Sequence, residues 1–204
     1  IGEVKIADFD DDAGGRLKGN PGSEVTVTYL RQGKSQSATI TRGAVEIHAV
    51  PFYTLIDDEI GYIVLSTFNT KTTKETKSAL LDLKSQGAEK IILDLRGNPG
   101  GLLSEAINIV NLFVDKGEVI TTTQSEIKKY NRVYTTTQDP VDTEIPLVVL
   151  INGRSASASE IVSGGLQDLD RAVIIGARSF GKGLVQRPLK LTYGTQLNVT
   201  ISRY

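Results

Sequence analysis

The chain has 204 residues, which is enough for one large domain or for one domain with a smaller companion. Its 23 basic and 24 acidic residues nearly cancel, so net charge does not favour nucleic acid or an anionic membrane as a partner. The chain has no cysteine and one histidine, His48, which excludes disulfides, thiolate metal ligands, a cysteine nucleophile and a multi-histidine metal site.

The first residues, IGEVKIADFDDD, lack the basic start and the apolar run of a secretory signal. The segment that follows, AGGRLKGNPGS, has too many glycines to predict a helix or a strand. No stretch of the chain approaches the ~20 apolar residues that a membrane-spanning helix needs. Because the chain also lacks an initiator methionine, we expect it to be a processed or excised piece of a longer protein.

A β-hairpin is predicted next, in EVTVTYLRQGKSQSATITR. Val25, Val27 and Tyr29 share one face of its first strand, the turn falls at residues 31–35, and the second strand resumes through Ala38. The segment is too short to bury a good core by itself. We therefore interpret it as a fragment of a small β-rich domain, or as a flap on the larger one.

From about residue 60 onward, apolar strands alternate with helical patterns. The segments IGYIVLSTF, KIILDL, IPLVVLI and AVIIG indicate buried strands, and TTKETKSALLDLKSQG indicates a helix between the first two. Two further helical stripes run from Ala106 to Val114 and from Ala158 to Leu169. This alternation predicts an α/β fold whose sheet is covered on its faces. From LVQRPLKL onward the pattern returns to strand, with a turn around residues 193–195.

The junction LINGRSASASEIV, residues 150–162, raises the question of a nucleophilic serine. Ser157 stands three residues before Glu160, which is the Ser-x-x-Glu capping box of a helix N-terminus, so a helix cap alone explains the serine. A nucleophile favours the same place, because the unpaired N–H groups and the dipole of a helix N-terminus stabilise an oxyanion. Only a base and a second oxyanion donor elsewhere would separate these two interpretations.

Two residues are candidates for the base. His48 lies in VEIHAV without glycine or turn residues to expose it, so we interpret it as a packed or surface side chain, and a Ser-His-Asp triad is unsupported. Lys182 is the better candidate, because the glycines on both sides of it let the chain turn sharply and deliver the amine to a buried site. Burial favours the neutral amine that a lysine base needs. Gln186 could then aim the amine; the alternative is a solvated lysine in a glycine turn.

The second oxyanion donor is predicted in LRGNPGGLL. Gly100 and Gly101 lie between a predicted strand and a predicted helix, where their N–H groups are free to point at a ligand. A simple turn between the strand and the helix is the alternative explanation for these glycines.

A nucleotide hydrolase is a rival interpretation of the Lys182 segment. GARSFGKG, residues 176–183, matches the start of the phosphate-binding pattern G-x-x-x-x-G-K, and IILDL resembles the strand whose aspartate holds magnesium. Gly183, however, stands where a serine or threonine should bind the metal, and the residues after it favour a strand where a helix should begin. The aspartate strand also precedes the loop, which is the reverse of the usual order.

Three blocks of sequence together resemble the carboxyl-terminal processing proteases, tail-specific serine peptidases with a Ser/Lys dyad: LDLRGNPGGLL, VLINGRSASASEIVSGGLQDLDRAVIIG and SFGKGLVQ. The resemblance implies that Ser157 is the nucleophile, Lys182 the general base and Gln186 the residue that orients the lysine. It further implies an oxyanion hole made by the N–H of Ala158 and one N–H from the Gly100 and Gly101 turn.

The resemblance covers roughly residues 20–204 and implies a fold and a function for the whole. The implied fold is an α/β core like that of the crotonases and ClpP over residues 44–204, cut short at its end, after a partial PDZ-like β segment over residues 1–43. The implied partners are protein or peptide substrates with exposed carboxyl-terminal tails, without nucleic acid, metal or cofactor. The resemblance also implies an extracytoplasmic, bacterial location, and a homo-oligomer is left open. A catalytically silent module that binds polypeptide tails is the main alternative function.

Overall fold

The computed structural model of the protein describes residues 13–204. The chain forms two compact units, Ile1–Ile47 and His48–Tyr204. The expected boundary between residues 43 and 44 stays a prediction, and residues 1–12 of the expected PDZ-like segment lie outside the described residues.

The first unit contains the predicted hairpin. Strand β1 (Glu24–Arg31) pairs antiparallel with β2 (Lys34–Thr41), and alternate side chains of β1 are half-buried, as the pattern predicted. The connection consists of Gln32 and Gly33, so it is tighter than expected, and both residues have positive φ (52° and 73°). Positive φ at both central residues is typical of the type I′ turn, whose twist matches that of the paired strands.

One expectation for this unit is wrong. Part of the glycine-rich segment, expected to be irregular, forms a short helix, α1 (Ala13–Leu17). The Arg42 guanidinium holds its carboxyl end, since Nε donates to the Leu17 carbonyl at 2.7 Å and Nη2 to the Arg16 carbonyl at 3.4 Å. A residue distant in sequence thus satisfies carbonyl groups that a helix end leaves unpaired.

The second unit alternates strands and helices as predicted, with three additional strands, β3, β6 and β7. Its elements in chain order are β3 (Phe52–Ile56), β4 (Ile60–Val64), α2 (Thr72–Ser85), β5 (Lys90–Asp94), α3 (Leu103–Asn111), β6 (Val119–Thr123), β7 (Arg132–Thr135), β8 (Leu147–Ile151), α4 (Ala158–Asp168), β9 (Val173–Gly176), β10 (Leu184–Lys190) and β11 (Gln196–Arg203). The sequence VITTT of β6 has too few apolar residues to show a buried-strand pattern.

A five-stranded sheet in the order β3-β4-β5-β8-β9 forms the centre of this unit. Strands β4, β5, β8 and β9 run parallel, whereas β3 pairs antiparallel with β4 at one edge. Two smaller antiparallel pairs, β6 with β7 and β10 with β11, form separate sheets. Because β5 and β8 are parallel neighbours, the loops that follow them leave the sheet side by side.

The two faces of the central sheet are covered unequally. On one face, Ile63, Leu93 and Val149 lie side by side on three neighbouring strands and are fully buried. On the other face, Ile92 and Val148 are only half-buried. Within the described residues, the expectation of a sheet covered on its faces is therefore correct for one face and only partly correct for the other.

Helix α2 covers the buried face. It buries one stripe of residues spaced three or four positions apart: Thr72, Thr76, Ala79, Leu80 and Leu83. The stripe reaches the sheet at Gly61, where an added methyl group would lie 3.0 Å from Leu83 Cδ1. α2 also contacts α3, and α3 contacts α4. Among the described helices, none combines the length and the apolar character required to cross a membrane.

The stripe on α2 allows a matched test of core packing. Leu80 is fully buried, whereas its neighbour Leu81 is 48% exposed. We expect Leu80→Ala to lower the free energy of unfolding by about 2–5 kcal/mol, because it loses buried apolar surface and leaves a cavity. Leu81→Ala should change this free energy by less than about 0.5 kcal/mol. Urea denaturation of both variants measures the effects, and equal losses would contradict this assignment of the buried face.

Candidate active site

Three loops at one edge of the central sheet carry the candidate residues. The turn after β5 contains Gly100 and Gly101, the turn between β8 and α4 ends in Ser157, and the loop between β9 and β10 contains Lys182. β5, β8 and β9 are adjacent parallel strands, so their carboxyl ends lie at the same edge. This is the edge at which open α/β sheets bind their ligands.

Asn98 joins the first loop to the second. Its side chain is fully buried; Oδ1 accepts the N–H of Gly100 at 2.9 Å, and Nδ2 donates to the Leu65 carbonyl at 2.8 Å. Its backbone carbonyl accepts the N–H of Ala156 at 3.1 Å and the hydroxyl of Ser159 at 3.0 Å. Buried polar groups are costly to leave unpaired, so this network holds the two turns together. No sequence signal pointed to Asn98, because asparagine beside proline and glycine is ordinary turn composition.

The first loop approaches Ser157 closely because it contains glycine. A methyl group on Gly100 would lie 2.6 Å from the Ala156 carbonyl oxygen and 2.8 Å from Ser157 Cβ. A methyl group on Gly101 would lie 2.1 Å from the Phe68 carbonyl oxygen. Both glycines also have positive φ (97° and 148°), a region that residues with a side chain seldom adopt. The two turns therefore contact each other through backbone atoms.

The N–H groups of the two glycines have different surroundings. The Gly100 N–H donates to Asn98, whereas the Gly101 N–H has no acceptor among the described residues. The Gly100 carbonyl accepts the N–H of Phe68 at 3.1 Å. Because the N–H and C=O of one trans peptide point in opposite directions, the Gly101 N–H points away from Phe68. The N–H of Ala158, the first residue of α4, likewise finds no acceptor in the part of the chain that is described.

Ser157 has a strained backbone conformation at the start of α4. Its φ of 57° and ψ of −112° are rare for a residue with a side chain, and such outliers cluster at functional sites. Glu160 Oε2 accepts the N–H of Ser157 at 2.8 Å, as the predicted capping box requires. Ser157 is half-buried, and its hydroxyl lies 3.4 Å from the Tyr204 hydroxyl. No sequence motif indicated Tyr204, which the last described strand, β11, brings to this position.

The backbone of Lys182 lies near the backbone of Ser157, because both residues donate to the same carboxylate oxygen. The Lys182 N–H donates to Glu160 Oε2 at 3.0 Å, and the same oxygen accepts the N–H of Ser157. The side chain of Lys182 is half-buried, and its amine forms no hydrogen bond or ion pair within residues 13–204. The structure thus places the lysine loop next to the serine, without a hydrogen bond between the amine and the hydroxyl.

Gln186 lies on β10, four residues after Lys182. It is exposed and pairs with Thr200 of β11, immediately after a shift in the register of the two strands. No hydrogen bond joins its side chain to Lys182 within the described chain.

His48 is not part of this arrangement. Its Nδ1 lies 3.1 Å from Glu75 Oε1 on α2, and its side chain is 56% exposed. The structure agrees with the interpretation of His48 as a surface side chain and does not support a Ser-His-Asp triad.

The segment that resembles a phosphate-binding loop has a different structure. Strand β10 follows residues 176–183, where the nucleotide-binding pattern needs a helix. The N–H groups of Gly181 and Lys182 donate to Glu160, so a carboxylate occupies the donors that would face a phosphate. These contacts argue against the nucleotide hydrolase.

Asp94, the candidate magnesium ligand at the end of β5, is 5% exposed and already paired. Its Oδ2 accepts the Tyr62 hydroxyl at 2.5 Å and a hydrogen bond from Arg96 Nη2 at 2.6 Å. Burial raises the pKa of Asp94, but the hydrogen bonds from Arg96 and Tyr62 outweigh burial and hold the pKa below its usual value. Asp94 is therefore one member of a partly buried ion pair.

Comparisons with known proteins show a family likeness over most of the chain. The model of peptidase family S41 matches residues 59–204. The carboxyl-terminal-processing protease of a Synechocystis strain is 37% identical over 201 residues, which cover 95% of this chain and 46% of that protein. The chloroplastic C-terminal processing peptidase of Tetradesmus obliquus is 34% identical over 203 residues, which cover 92% of this chain and 43% of that protein. The chain thus spans about half the length of the curated relatives it matches.

A solved structure shows the same fold. The photosystem II D1 C-terminal processing protease superposes with a TM-score of 0.68 at 33% identity. The match covers 91% of this chain and 51% of the other. The mixed α/β fold predicted from the sequence is confirmed.

The contact of Gly100 with the serine turn can be tested against Gly97. Both residues have positive φ (97° and 77°), but the nearest atom to a methyl group on Gly97 lies 3.9 Å away. Gly97→Ala should cost about 1–2 kcal/mol of unfolding free energy for its backbone conformation. Gly100→Ala should cost a further ~1–3 kcal/mol, because its methyl group overlaps the turn that contains Ser157. Urea denaturation measures both costs, and equal values would show that the turns are not in close contact.

The Asp94 ion pair predicts a pH dependence of stability. Because the pKa of Asp94 is lower in the folded protein than the ordinary value of about 3.9, Asp94 stabilises the fold above that value. Its contribution is lost as the pH falls through the folded pKa. Asp94→Asn should therefore lower the free energy of unfolding at pH 7, and the loss should shrink between about pH 4 and pH 2. Urea denaturation across this range measures the loss, with Asp139→Asn at an exposed site as the control; a loss independent of pH would contradict the ion pair.

Proposed function

Because the chain belongs to peptidase family S41, we propose that it acts as a serine endopeptidase that cleaves protein substrates near their carboxyl-terminal tails. The observation that carries the proposal is that Ser157, the glycine turn after β5 and the Lys182 loop meet at one edge of the sheet. The relatives named as carboxyl-terminal processing proteases support the class of substrate.

Ser157 is the proposed nucleophile and Lys182 the proposed general base. The neutral Lys182 amine takes the proton of the Ser157 hydroxyl as Oγ bonds to the scissile carbonyl carbon. The tetrahedral intermediate collapses when the departing amine takes this proton from the lysine, and an acyl-enzyme remains. Water then attacks the acyl carbon and gives a proton to Lys182. When the ester bond to Ser157 Oγ breaks, Lys182 returns this proton to Oγ, which regenerates the serine hydroxyl and the neutral amine and releases the new carboxyl terminus. The flexible four-carbon stem of lysine lets the amine reach the hydroxyl from a backbone position already beside it.

The proposed oxyanion hole consists of the N–H groups of Ala158 and Gly101. Both lack an acceptor among the described residues, and Ala158 adds the positive end of the α4 dipole. Gly100 is the weaker candidate, because its N–H already donates to Asn98. Gly100 instead allows the close approach of the two turns.

Gln186 is proposed to orient the Lys182 amine. Its position four residues after the lysine supports this role. The register shift immediately before Gln186 also supports it, because such irregularities in a strand change the direction of the side chains beside them. The role requires the Gln186 side chain to turn toward the amine when substrate binds.

We also propose a crotonase- and ClpP-like core over residues 44–204, preceded by a partial PDZ-like segment over residues 1–43. We also propose an extracytoplasmic location in a bacterium, from the kinship with carboxyl-terminal-processing proteases. A homo-oligomer is left open.

A fluorophosphonate probe tests the mechanism, because it reacts with activated serine hydroxyls. The wild-type protein should be labelled at Ser157, and Ser157→Ala should abolish labelling. Lys182→Ala should slow labelling by about 10²–10⁴-fold, the usual contribution of a general base. Mass spectrometry identifies the labelled residue and measures the rate.

Two controls sharpen this experiment. Lys182→Arg keeps a positive charge but cannot supply a neutral base, so it should be as slow as Lys182→Ala. Lys190→Ala removes an exposed lysine of β10 and should label at the wild-type rate. Rapid labelling of Lys182→Ala would reject the dyad, and a wild-type protein that is not labelled would favour the silent tail-binding module.

A further inference from the structure

Glu160 receives more hydrogen bonds than a helix cap needs. Its Oε2 accepts the N–H of Ser157 at 2.8 Å and the N–H of Lys182 at 3.0 Å. Its Oε1 accepts the hydroxyl of Ser179 at 2.8 Å and the N–H of Gly181 at 2.6 Å. The capping box accounts for the bond to Ser157. The other three bonds go to a loop that follows the next strand.

The charge of Glu160 suits this set of donors. Burial raises the pKa of Glu160, but hydrogen bonds from Ser157, Ser179, Gly181 and Lys182 outweigh burial and lower the pKa. An ionised carboxylate accepts hydrogen bonds at both oxygens and donates none, which matches four donors that point at it. Its place in the first turn of α4 also favours a negative charge.

The shared oxygen limits the separation of the two proposed catalytic residues. The backbone nitrogens of Ser157 and Lys182 lie 2.8 and 3.0 Å from the same oxygen, so the distance between the two nitrogens cannot exceed the sum of these two hydrogen-bond lengths. Nothing else described in the structure joins the Lys182 backbone to the start of α4 by a hydrogen bond.

Two other hydrogen bonds hold the flanks of the loop, from the Phe180 N–H to the Ser155 carbonyl at 3.0 Å and from the Tyr204 N–H to the Gly183 carbonyl at 3.1 Å. Between these flanks Lys182 has a glycine on each side, so without Glu160 its backbone has many conformations to sample.

We propose that Glu160 is a positioning residue that holds the Lys182 loop against Ser157 and so sets the geometry of the dyad. This inference rests on the proposed function, because it assigns to the Glu160 carboxylate the alignment of the proposed base with the proposed nucleophile. A displacement of about 1 Å in such an alignment can cost 10²-fold in rate. Glu160 itself touches neither the substrate nor the reacting atoms.

Glu160→Asp separates positioning from capping. Aspartate keeps the negative charge in the first turn of α4, but its side chain is one methylene shorter and cannot span from the helix to the loop. If Glu160 only caps and charges the helix, this variant should label like the wild type. If Glu160 positions Lys182, the maximal rate of fluorophosphonate labelling should fall by about 10–100-fold. The probe concentration for half-maximal rate should change little, because probe binding does not involve Glu160.

Glu105→Asp is the matched control. Glu105 occupies the same position in the first turn of α3, and its Oε2 accepts hydrogen bonds from the N–H and hydroxyl of Thr73 at 2.8 and 2.6 Å. Shortening it should lower stability in a similar way, without changing the rate at which the folded protein is labelled. Equal losses of labelling rate in both variants would overturn the proposal.

Two further measurements keep the test decisive. Ser179→Ala removes one loop contact without altering the helix and should slow labelling about tenfold, because the hydrogen bond that it loses goes to an ionised carboxylate. Hydrogen exchange on Ser157→Ala, with and without Glu160→Asp, reports the loop independently of any chemistry. The Gly181 and Lys182 amides should exchange faster in the double variant. Unchanged exchange would overturn the inference, whereas absent labelling of the wild type alone would reject the proposed function and leave the loop contact standing.

Discussion

The fully buried amide of Asn98 is the contact on which the geometry of the candidate site depends. The side-chain oxygen accepts the Gly100 N–H in the turn after β5. The backbone carbonyl of Asn98 accepts the Ala156 N–H in the turn after β8 and the Ser159 hydroxyl in the first turn of α4. Adjacent parallel strands bring their loops to the same edge of a sheet, but they do not define the distance between the loops. A buried polar group that loses its partner costs about 1–3 kcal/mol, so the turns are held together at a defined separation.

The strained backbone of Ser157 needs support on both sides, and the structure supplies it. The residue before Ser157 is held by Asn98, and the Ser157 N–H is held by Glu160. Unfavourable backbone conformations persist only where the surrounding contacts determine them, and they cost of order 1–3 kcal/mol. The same carboxylate also accepts the N–H of Lys182. The start of α4 is therefore joined both to the turn after β5, through Asn98, and to the Lys182 loop, through Glu160.

Several local predictions were correct because they depend on spacing within a few residues. The Ser-x-x-Glu spacing correctly placed the start of α4, and the apolar stripe that includes Ile161 and Val162 faces the core. Predictions failed where a distant residue decided the outcome. The Arg42 guanidinium donates to the last carbonyls of a short helix in the glycine-rich segment, and Val173 of β9 is 62% exposed although its strand is as apolar as the buried ones. An edge strand and a central strand can have the same composition.

The sequence by itself determined the alternation of the apolar strands β4, β5, β8 and β9 with the helices α2, α3 and α4, the glycine turn, the capping of α4 by Ser157 and the kinship that points to a peptidase. These features follow from hydrophobic period, turn residues and capping residues, which act over a few positions. The tertiary structure alone decided that Asn98 accepts the N–H of Gly100, that the N–H of Gly101 has no acceptor within residues 13–204, and that Glu160 also binds the Lys182 loop. The physical reason is that donors and acceptors from distant segments compete for partners, and only the packed fold brings those competitors together.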